Sequence, residues 1–241
     1  MEPETVQEKS KYSISIAVPC YNEAGNIEGV VDTLLAELPK IFGDFEIVIV
    51  NDGSKDNTGE IADRLTRKHD VVRVIHHPTN FGYGGSVKEG YYAAKKELVC
   101  LFPGDGQFDI RELRKLLPLM DRVDIAATYR INRRDPFHRK VNQFIYNKAI
   151  WLLFGIPFRD IDCGFKLMKT KIFRVIELET VGALIDAEFY FKSKRKGFSY
   201  EEIGVTHLPR DFGVSTGAKF YVVFHAVFEI LRFWWKIRSY R

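Results

Sequence analysis

The stretch SISIAVPCYNE at residues 13–23 and the stretch FEIVIVNDGS at residues 45–54 decide the fold of this chain. Each begins as an apolar run, typical of a β-strand buried on both faces, and each ends in residues that favour turns. Between them, Asn26–Leu38 carries apolar residues at helical spacing. A strand, a helix and a second strand in this order predict a parallel sheet.

The same alternation continues to about residue 102. The pattern predicts two more helices and two more strands, over Asn57–Lys68, Val71–Ile75, Ser86–Lys96 and Leu98–Phe102. We therefore expect an α/β fold with a Rossmann-like, mostly parallel, doubly wound sheet. The second half is less regular, with a helix near Asn142–Leu153, a strand near Tyr200–Thr206 and a long aromatic helix over Lys219–Ile237.

Composition narrows the class of protein. The chain has 241 residues, of which 46% are hydrophobic and 28% charged, and this suits one globular domain with an appendage. A net charge of +4 gives no reason to expect a nucleic acid as partner. Cys20, Cys100 and Cys163 form no CxxC pair, so we expect three buried thiols in a reducing compartment. The polar N-terminus is unlike a signal peptide, and no apolar run of about 18 residues predicts a spanning helix.

Four successive strand ends carry carboxylates, amides or glycines. In sheets of this class ligands bind beyond the carboxyl ends of the strands. The same residue types also favour turns and helix caps, which is the structural alternative for any one of these loops. Their recurrence favours a nucleotide crevice lined by Pro19–Glu23, Asn51–Ser54, Asn80–Ser86 and Pro103–Gln107.

The first of these loops lacks GxGxxG, which disfavours a dinucleotide fold. Tyr21 can instead stack on a base, and Glu23 and Asp52 can accept hydrogen bonds from a base or a sugar.

Asp105 and Gln107 form the predicted metal site. A nucleoside diphosphate offers hard oxygen ligands, which Mg²⁺ or Mn²⁺ bridges to one or two protein oxygens. The structural alternative is a turn into a helix capped by Asp109. His76 and His77 follow a strand with no apparent metal partner, and we expect structural roles for them.

A basic segment, YRINRRDPFHRK, covers residues 129–140. Arginine binds phosphate through a planar fork of donors. Because Arg130 follows the strand-like run Ile125–Thr128, we expect it to bind phosphate, while Arg133 and Arg134 face solvent or a membrane.

The chain resembles the family 2 glycosyltransferases of GT-A fold, and among them the dolichyl-phosphate and polyprenyl-phosphate sugar synthases. The resemblance runs from about residue 13 to residue 215. It rests on the order and spacing of VPCYNE (18–23), VNDGSKDNT (50–58), NFGYGG (80–85), GDGQFD (104–109), DIDCGFKL (160–167) and PRDFGVS (209–215).

The resemblance implies a role for each matching position. It implies nucleotide contacts from Pro19, Tyr21, Glu23, Val50, Asp52, Gly104 and Asp105. It implies a divalent metal, Mg²⁺ or Mn²⁺, on Asp105 and Gln107, and acceptor phosphate binding by Arg130, Arg139, Arg210 and Ser215. The chain departs from the family at Pro103, where the first aspartate of DADxQ is usual, and at Thr216, where RxxGxSK has lysine.

The implied organisation is a polar tail (1–12), a catalytic domain (13–217) and a C-terminal amphipathic helix (218–241). The nucleotide-sugar half of the domain covers about 13–109 and the acceptor half about 110–217. The implied reaction is inverting transfer of a sugar from a GDP- or UDP-linked donor to a polyprenyl or dolichyl phosphate, with Asp105, Arg130 and Glu188 as catalytic residues.

Two alternatives stay open. A saccharide or protein hydroxyl as acceptor needs a base. Glu188 or Asp186 would serve, with Asp162 a further candidate carboxylate, although all three also suit capping and loop hydrogen bonds. A non-catalytic nucleotide-sugar or membrane-binding protein is the alternative of another class, favoured by Pro103.

The predicted last helix has one polar stripe among many aromatic residues. The stripe consists of His225, Glu229, Arg232 and Lys236. Such a helix either packs on the catalytic domain or lies in a bilayer interface, where aromatic and basic residues anchor. We expect a cytoplasmic protein, peripheral on the cytosolic membrane face, and the oligomeric state stays open.

Overall fold

The computed structural model describes residues 8–131, 137–208 and 230–236, with the backbone alone over 137–140. The described strands are β1 (Ile14–Cys20), β2 (Phe45–Asn51), β3 (Val72–His76), β4 (Leu98–Leu101), β5 (Ile125–Ile131), β6 (Lys166–Lys169) and β7 (Tyr200–Thr206). They form a seven-stranded sheet in the order β3-β2-β1-β4-β6-β5-β7.

Helices connect most of these strands. The α-helices are α1 (Ile27–Glu37), α2 (Thr58–Lys68), α3 (Tyr83–Ala93), α4 (Leu113–Leu116), α5 (Phe137–Phe154) and α6 (Ile185–Arg195). Short 3₁₀ helices cover Leu38–Lys40, Ile110–Glu112, Leu117–Asp121 and Thr170–Arg174. Residues 230–236 are also helical.

The first half of the sheet is parallel, as the sequence predicts. β1 pairs in parallel with β2 and β4, and β2 pairs in parallel with β3. Alternate residues of β1 enter two different cores, with Ile16 in one and Ala17 in the other. Because both faces of the sheet are covered, these strands are apolar throughout rather than alternating. The predicted doubly wound arrangement is thus confirmed.

The sequence gives no sign of β6, which makes the sheet mixed. β6 runs antiparallel to both β4 and β5. Its four residues are KLMK, so it is short and has a lysine at each end. No apolar run in the sequence therefore predicts β6. Its first residue, Lys166, nevertheless has a fully buried side chain. Since β6 is antiparallel to both neighbours, the carboxyl ends of β4 and β5 share one edge of the sheet with the start of β6.

Two helices begin earlier than their apolar spacing indicates. α3 starts at Tyr83 rather than Ser86, so Gly84 and Gly85 of NFGYGG lie in its first turn and Gly82 is its N-cap. A Cβ atom on residue 84 would lie 2.6 Å from the carbonyl oxygen of Gly182, so only glycine fits this approach. α5 starts at Phe137 rather than Asn142.

The described part of the predicted C-terminal helix packs on the domain. The Phe233 ring lies 5.5 Å from the ring of Phe154 and 5.8 Å from that of Phe191. The stretch 209–229, with His225 and Glu229, lies outside the described residues, and the predicted domain boundaries stay predictions. Among the helices that are described, none has the length and apolar character needed to cross a membrane.

Candidate active site

Hydrogen bonds join the loops that follow β1 and β2. The amide of Asn22 donates to Ser54 Oγ over 3.0 Å, and the amide of Lys55 donates to Asn22 Oδ1 over 2.8 Å. Asn22 adopts a positive φ of 56°, which asparagine tolerates better than most residues. The amide of Glu23 donates to Thr58 Oγ1 over 2.8 Å. These bonds make one rigid surface from two of the predicted nucleotide loops.

Two of the predicted nucleotide contacts lie on this surface, and a third, Val50, lies behind it. Tyr21 is partly buried. Glu23 is also partly buried, and its Oε2 accepts a hydrogen bond from Asn26 Nδ2 over 2.6 Å. The Val50 side chain is fully buried in the core. Val50 can therefore contact a nucleotide through its backbone alone.

Asp52 holds a neighbouring loop. Its side chain is only 4% exposed, and its Oδ1 lies 2.7 Å from His77 Nδ1. The amides of Phe81 and Gly82 donate to its two oxygens over 2.9 and 3.0 Å. This argues against a direct nucleotide contact through the Asp52 carboxylate, because its oxygens fix the start of α3 instead. The structural role expected for His77 agrees with this pairing, as does that of His76, which contacts neighbouring side chains.

The loop after β4 presents Asp105 and Gln107 beside the first strand. The amide of Gly104 donates to the carbonyl oxygen of Pro19 over 3.3 Å. Asp105 Oδ1 accepts from the amide of Gln107 over 3.2 Å, around a glycine at position 106 with a φ of +71°. Both Asp105 and Gln107 are partly buried. The predicted cap also forms, since Asp109 accepts from the amide of Arg111 over 2.9 Å.

The donor set of this loop suits a hard divalent cation that also binds a ligand. Gln107 Nε2 donates to the carbonyl oxygen of Leu208 over 3.4 Å, so the side-chain oxygen of Gln107 faces away from Leu208. No group of three or more His, Cys, Asp or Glu that could hold a metal occurs among the described residues. Mg²⁺ and similar ions commonly take one or two carboxylates and complete their coordination with phosphate and water. When bound, such an ion neutralises charge on a leaving diphosphate.

Arg130 is held by a buried carboxylate. Its Nε and Nη2 donate to the two oxygens of Asp160 over 2.7 and 2.8 Å, and its backbone amide also donates to Asp160. Gln143 of α5 donates to the same carboxylate. Burial lowers the pKa of Arg130, but its hydrogen bonds and ion pair with Asp160 outweigh burial and raise that pKa. Arg130 therefore stays positively charged at the end of β5.

A second buried ion pair lies close by. The Lys166 ammonium contacts Asp186 Oδ1, and these side chains are 0% and 1% exposed. The Tyr83 hydroxyl donates to Asp186 Oδ2 over 3.3 Å, although the Tyr83 residue as a whole is 40% exposed. Burial raises the pKa of Asp186, against the opposing effect of Lys166. Both oxygens of Asp186 thus have partners.

Asp162 lies near both pairs and belongs to neither. The residue as a whole is only partly buried, but its Oδ1 is buried and has no hydrogen-bond partner among the described residues. Burial, followed by the neighbouring carboxylates Asp186 and Asp160, raises the pKa of Asp162 to about 8. The carboxyl group is therefore largely protonated at neutral pH.

Glu188 has an internal role. Its side chain is fully buried and accepts from the amides of Glu179 and Thr180 over 2.9 and 2.8 Å. It also accepts from Thr180 Oγ1 over 2.7 Å and lies 2.6 Å from Lys192 Nζ. These contacts hold the segment before α6, which argues against the expectation that Glu188 is a catalytic residue or a base.

Several residues of this network were not predicted as site residues from the sequence. Asp160 and Lys166 lie inside the DIDCGFKL motif, so the motif was a signal that could have identified them. Nothing in the sequence showed that they form buried ion pairs with Arg130 and Asp186. No sequence signal pointed to Gln143. The Arg139 side chain, Arg210 and Ser215 lie outside the described residues, and their expected phosphate contacts stay predictions.

The strand order and the mostly parallel pairing are those of an α/β sheet of the GT-A class. The glucosyl-3-phosphoglycerate synthase of Mycobacterium tuberculosis matches the structure with a TM-score of 0.70 at 13% identity, over 92% of this chain and 80% of that chain. A structure of the same enzyme with Mn²⁺ and UDP-glucose matches with a TM-score of 0.69 at 12% identity, over 90% and 77% of the two chains. At this identity the likeness shows the fold.

Sequence comparison shows the family. The model of glycosyl transferase family 2 matches residues 15–176, and this chain belongs to that family. The chain is 30% identical to glycosyltransferase AglD of Haloferax volcanii, over 93% of this chain but 37% of that protein. It is 26% identical to a dolichyl-phosphate beta-glucosyltransferase of Saccharomyces cerevisiae, over 83% and 68% of the two chains. It is 28% identical to a polyprenol monophosphomannose synthase of Mycolicibacterium smegmatis, over 83% and 79%. The predicted resemblance to polyprenyl-phosphate sugar synthases is confirmed.

Proposed function

We propose that this chain catalyses inverting transfer of a sugar from a nucleoside diphosphate to a polyprenyl or dolichyl phosphate. The observation that carries the proposal is the fixed, charged guanidinium of Arg130 at the same sheet edge as Asp105. A cation held on one side suits an anionic acceptor, and a metal-binding carboxylate on the other suits an anionic leaving group. The relatives named as dolichyl-phosphate and polyprenol-phosphate enzymes support the choice of acceptor.

The donor would lie across the loops after β1, β2 and β4. Tyr21 and Glu23 lie on the surface suited to a base and ribose, and Gly104 packs against Pro19 beside them. Mg²⁺ or Mn²⁺ would be held by Asp105 and Gln107. The donor is a GDP- or UDP-linked sugar. The glucosyl-3-phosphoglycerate synthase of similar fold, which binds Mn²⁺ and UDP-glucose, supports this class of ligand.

An exposed apolar stripe on α5 supports a lipid as acceptor and a membrane surface as partner. Phe144, Ile145 and Leu152 are 63%, 59% and 80% exposed, and Val141 and Trp151 extend the same helical face. Exposed apolar residues in such a continuous stripe usually mark an interaction surface.

The charge of α5 favours an anionic membrane as the surface that this stripe contacts. Lys148 Nζ lies 4.7 Å from the centre of the Trp151 ring, and α5 contains no Asp or Glu but also carries Arg139 and Lys140. Basic and aromatic residues on one helix are typical of helices that lie in the interface of anionic bilayers. Since Gln143 of α5 also binds Asp160, this surface lies beside Arg130. A peripheral position on the cytosolic membrane face is part of the proposal.

The chemistry needs no general base. An acceptor phosphate oxygen is already ionised and attacks the anomeric carbon, while the nucleoside diphosphate leaves from the opposite face. Arg130 orients the attacking phosphate, with Arg139, Arg210 and Ser215 as the further contacts that the family resemblance implies. Positioning and electrostatic stabilisation supply most of the rate enhancement in such a site. The structural pairing of Glu188 and Asp186 agrees with a reaction that requires no base.

A transfer assay separates this function from its alternatives. Purified protein would be given GDP- and UDP-linked sugars with Mn²⁺ or Mg²⁺, and either a polyprenyl phosphate or the matching polyprenol. Transfer to the phosphate and not to the alcohol is expected. Transfer to the polyprenol or to a saccharide would instead favour the hydroxyl-acceptor alternative, with Glu188 or Asp186 as the base. Nucleotide-sugar binding without transfer to any acceptor would identify a non-catalytic binding protein.

A further inference from the structure

Among the described residues, Asp162 is the carboxyl group of this site that has no cation as a hydrogen-bond partner. Arg130 donates two hydrogen bonds to Asp160, and the Lys166 ammonium contacts Asp186. Asp162 Oδ1 is buried and has no partner among the described residues. Buried polar atoms in folded proteins almost always have a partner, so an orphaned one indicates a missing ligand or water. The site is therefore incomplete at Asp162.

The chain places Asp162 between the two halves of the proposed reaction. On one side, Asp160 holds Arg130, the proposed acceptor-phosphate ligand. On the other side, a Cβ atom on residue 164 would lie 2.7 Å from Pro103 Cγ, so the segment after Asp162 packs on the loop that carries Asp105. In a displacement between two phosphates, the transferred sugar must lie between the leaving diphosphate and the attacking oxygen.

We propose that Asp162 hydrogen-bonds a hydroxyl group of the transferred sugar and helps to select that sugar. This inference rests on the proposed function, because it uses the positions of donor and acceptor. A sugar hydroxyl both donates and accepts hydrogen bonds, and a protonated carboxyl group does the same. The raised pKa of Asp162, caused first by burial, agrees with a neutral partner of this kind. Sites that hydrogen-bond a substrate hydroxyl discriminate strongly against analogues that lack it.

Asp162→Asn and Asp162→Ala test the assignment with donors that lack one sugar hydroxyl each. Asparagine keeps the shape and both hydrogen-bonding functions of a neutral carboxyl group, whereas alanine removes them. With the complete donor, Asp162→Ala should lower kcat/KM by roughly tenfold to a hundredfold, and Asp162→Asn by much less. With one particular deoxy donor, the parent and Asp162→Ala should have similar kcat/KM. An equal loss with every donor would overturn the proposal and identify a water-binding or purely structural residue.

Binding measurements keep this test separate from the proposed function. Calorimetric titration would compare a nucleotide sugar with the corresponding nucleoside diphosphate in the presence of Mn²⁺. Asp162→Ala should weaken binding of the nucleotide sugar and leave affinity for the nucleoside diphosphate unchanged. If the parent transfers sugar to no lipid phosphate, the proposed function fails, yet this difference still supports a sugar contact. Equal affinities of parent and variant for both ligands would reject the sugar contact of Asp162 and leave the proposed function untouched.

Discussion

The Asp160 carboxylate accepts three hydrogen bonds from Arg130. The guanidinium Nε and Nη2 donate over 2.7 and 2.8 Å, and the backbone amide donates over 3.2 Å. Bidentate pairs of this kind fix the plane of a guanidinium. With Asp160 only 5% exposed, solvent competes little for these bonds. The arginine that we propose for the acceptor phosphate is thus already oriented before any ligand binds.

We therefore expect Asp160→Asn to impair use of the acceptor. Without the carboxylate charge, Arg130 keeps its own charge but loses its fixed orientation. The KM for polyprenyl phosphate should rise by roughly tenfold, since a hydrogen bond to a charged group contributes about 1.5–3 kcal/mol. Nucleotide affinity should stay within about twofold, because the side chain of Asp160 bonds Arg130 and Gln143 and none of the predicted nucleotide contacts. Steady-state kinetics with each substrate varied in turn measures both effects.

Glu201→Gln provides the matched control for that variant. Glu201 also forms a two-bond pair with an arginine, Arg122, at 3.0 and 2.7 Å, but this pair is exposed and lies at the opposite end of β5 and β7 from Arg130. Exposed pairs contribute little to stability. A rise in acceptor KM as large in Glu201→Gln as in Asp160→Asn would refute a specific positioning role for Asp160.

Asp105→Ala should abolish metal-dependent nucleotide binding and sugar transfer while leaving the fold intact. Asp105 is the one carboxylate that the Pro103–Gln107 loop offers to a cation. Titration of UDP and GDP with and without Mn²⁺, followed by circular dichroism of the variant, measures both parts of this expectation. Asp63→Ala is a suitable control, since Asp63 lies on α2 and is 48% exposed. Full activity in Asp105→Ala would remove this residue from the mechanism.

The sequence predicts the nucleotide half of the fold well because its strands are long apolar runs with turn residues between them. β1 and β2 each contain seven residues and lie in the middle of the sheet, where burial on both faces requires such runs. β6 has four residues with a lysine at each end, and the buried ammonium of Lys166 is paired with Asp186, about twenty positions away in the chain. Local spacing carries no information about a partner at that distance.

The same reasoning bears on the predicted site residues, whose roles stay predictions. Asp105 lies in the loop after the central strand β4, so a place near the crevice is expected for it from the fold class. Asp52 also follows a central strand, yet its carboxylate binds the amides of Phe81 and Gly82. A motif shows that a carboxylate is near the crevice, but only packing shows whether its oxygens remain free. Glu188 differs from expectation for the same reason, because amides of the preceding segment occupy its oxygens.

Membrane binding should depend on α5 more than on the exposed end of the C-terminal helix. Replacing Ile145 and Leu152 together with serine removes two of the most exposed apolar side chains of the stripe. Sedimentation with anionic vesicles should fall several-fold, because each buried aliphatic side chain contributes about 1.5–3 kcal/mol. Binding of the parent should also weaken with salt, which screens exposed charges.

Two variants separate α5 from other exposed apolar positions. Trp235→Ser tests the C-terminal helix, where this side chain is 73% exposed, and Val175→Ser tests a residue that is 54% exposed elsewhere. Val175→Ser should sediment like the parent. Unchanged sedimentation of the Ile145 and Leu152 variant, with a loss only in Trp235→Ser, would assign the membrane contact to the C-terminal helix instead.

The raised pKa of Asp162 predicts a pH-dependent stability difference between the parent and Asp162→Asn. Burial, Asp186 and Asp160 raise the pKa of Asp162 from 3.8 to about 8, against the opposing charges of Arg130 and Lys166. Between these values the unfolded chain releases the proton that the folded chain retains. The contribution of this group therefore falls as pH rises from about 4 to about 8 and is constant above that range.

Asparagine cannot ionise, so the stability of Asp162→Asn should lack the part of the pH dependence that Asp162 causes in the parent. The free energy of unfolding of the variant, relative to that of the parent, should increase from pH 4 to pH 8 by at least about 1.4 kcal/mol, the value of one pKa unit. Other titrating groups largely cancel in this difference because both proteins share them. Urea unfolding at pH 5, 7 and 8.5 measures it. A difference that stays constant across these three pH values would show that Asp162 is already ionised in the folded protein, and hence that a cation or water compensates its buried oxygen.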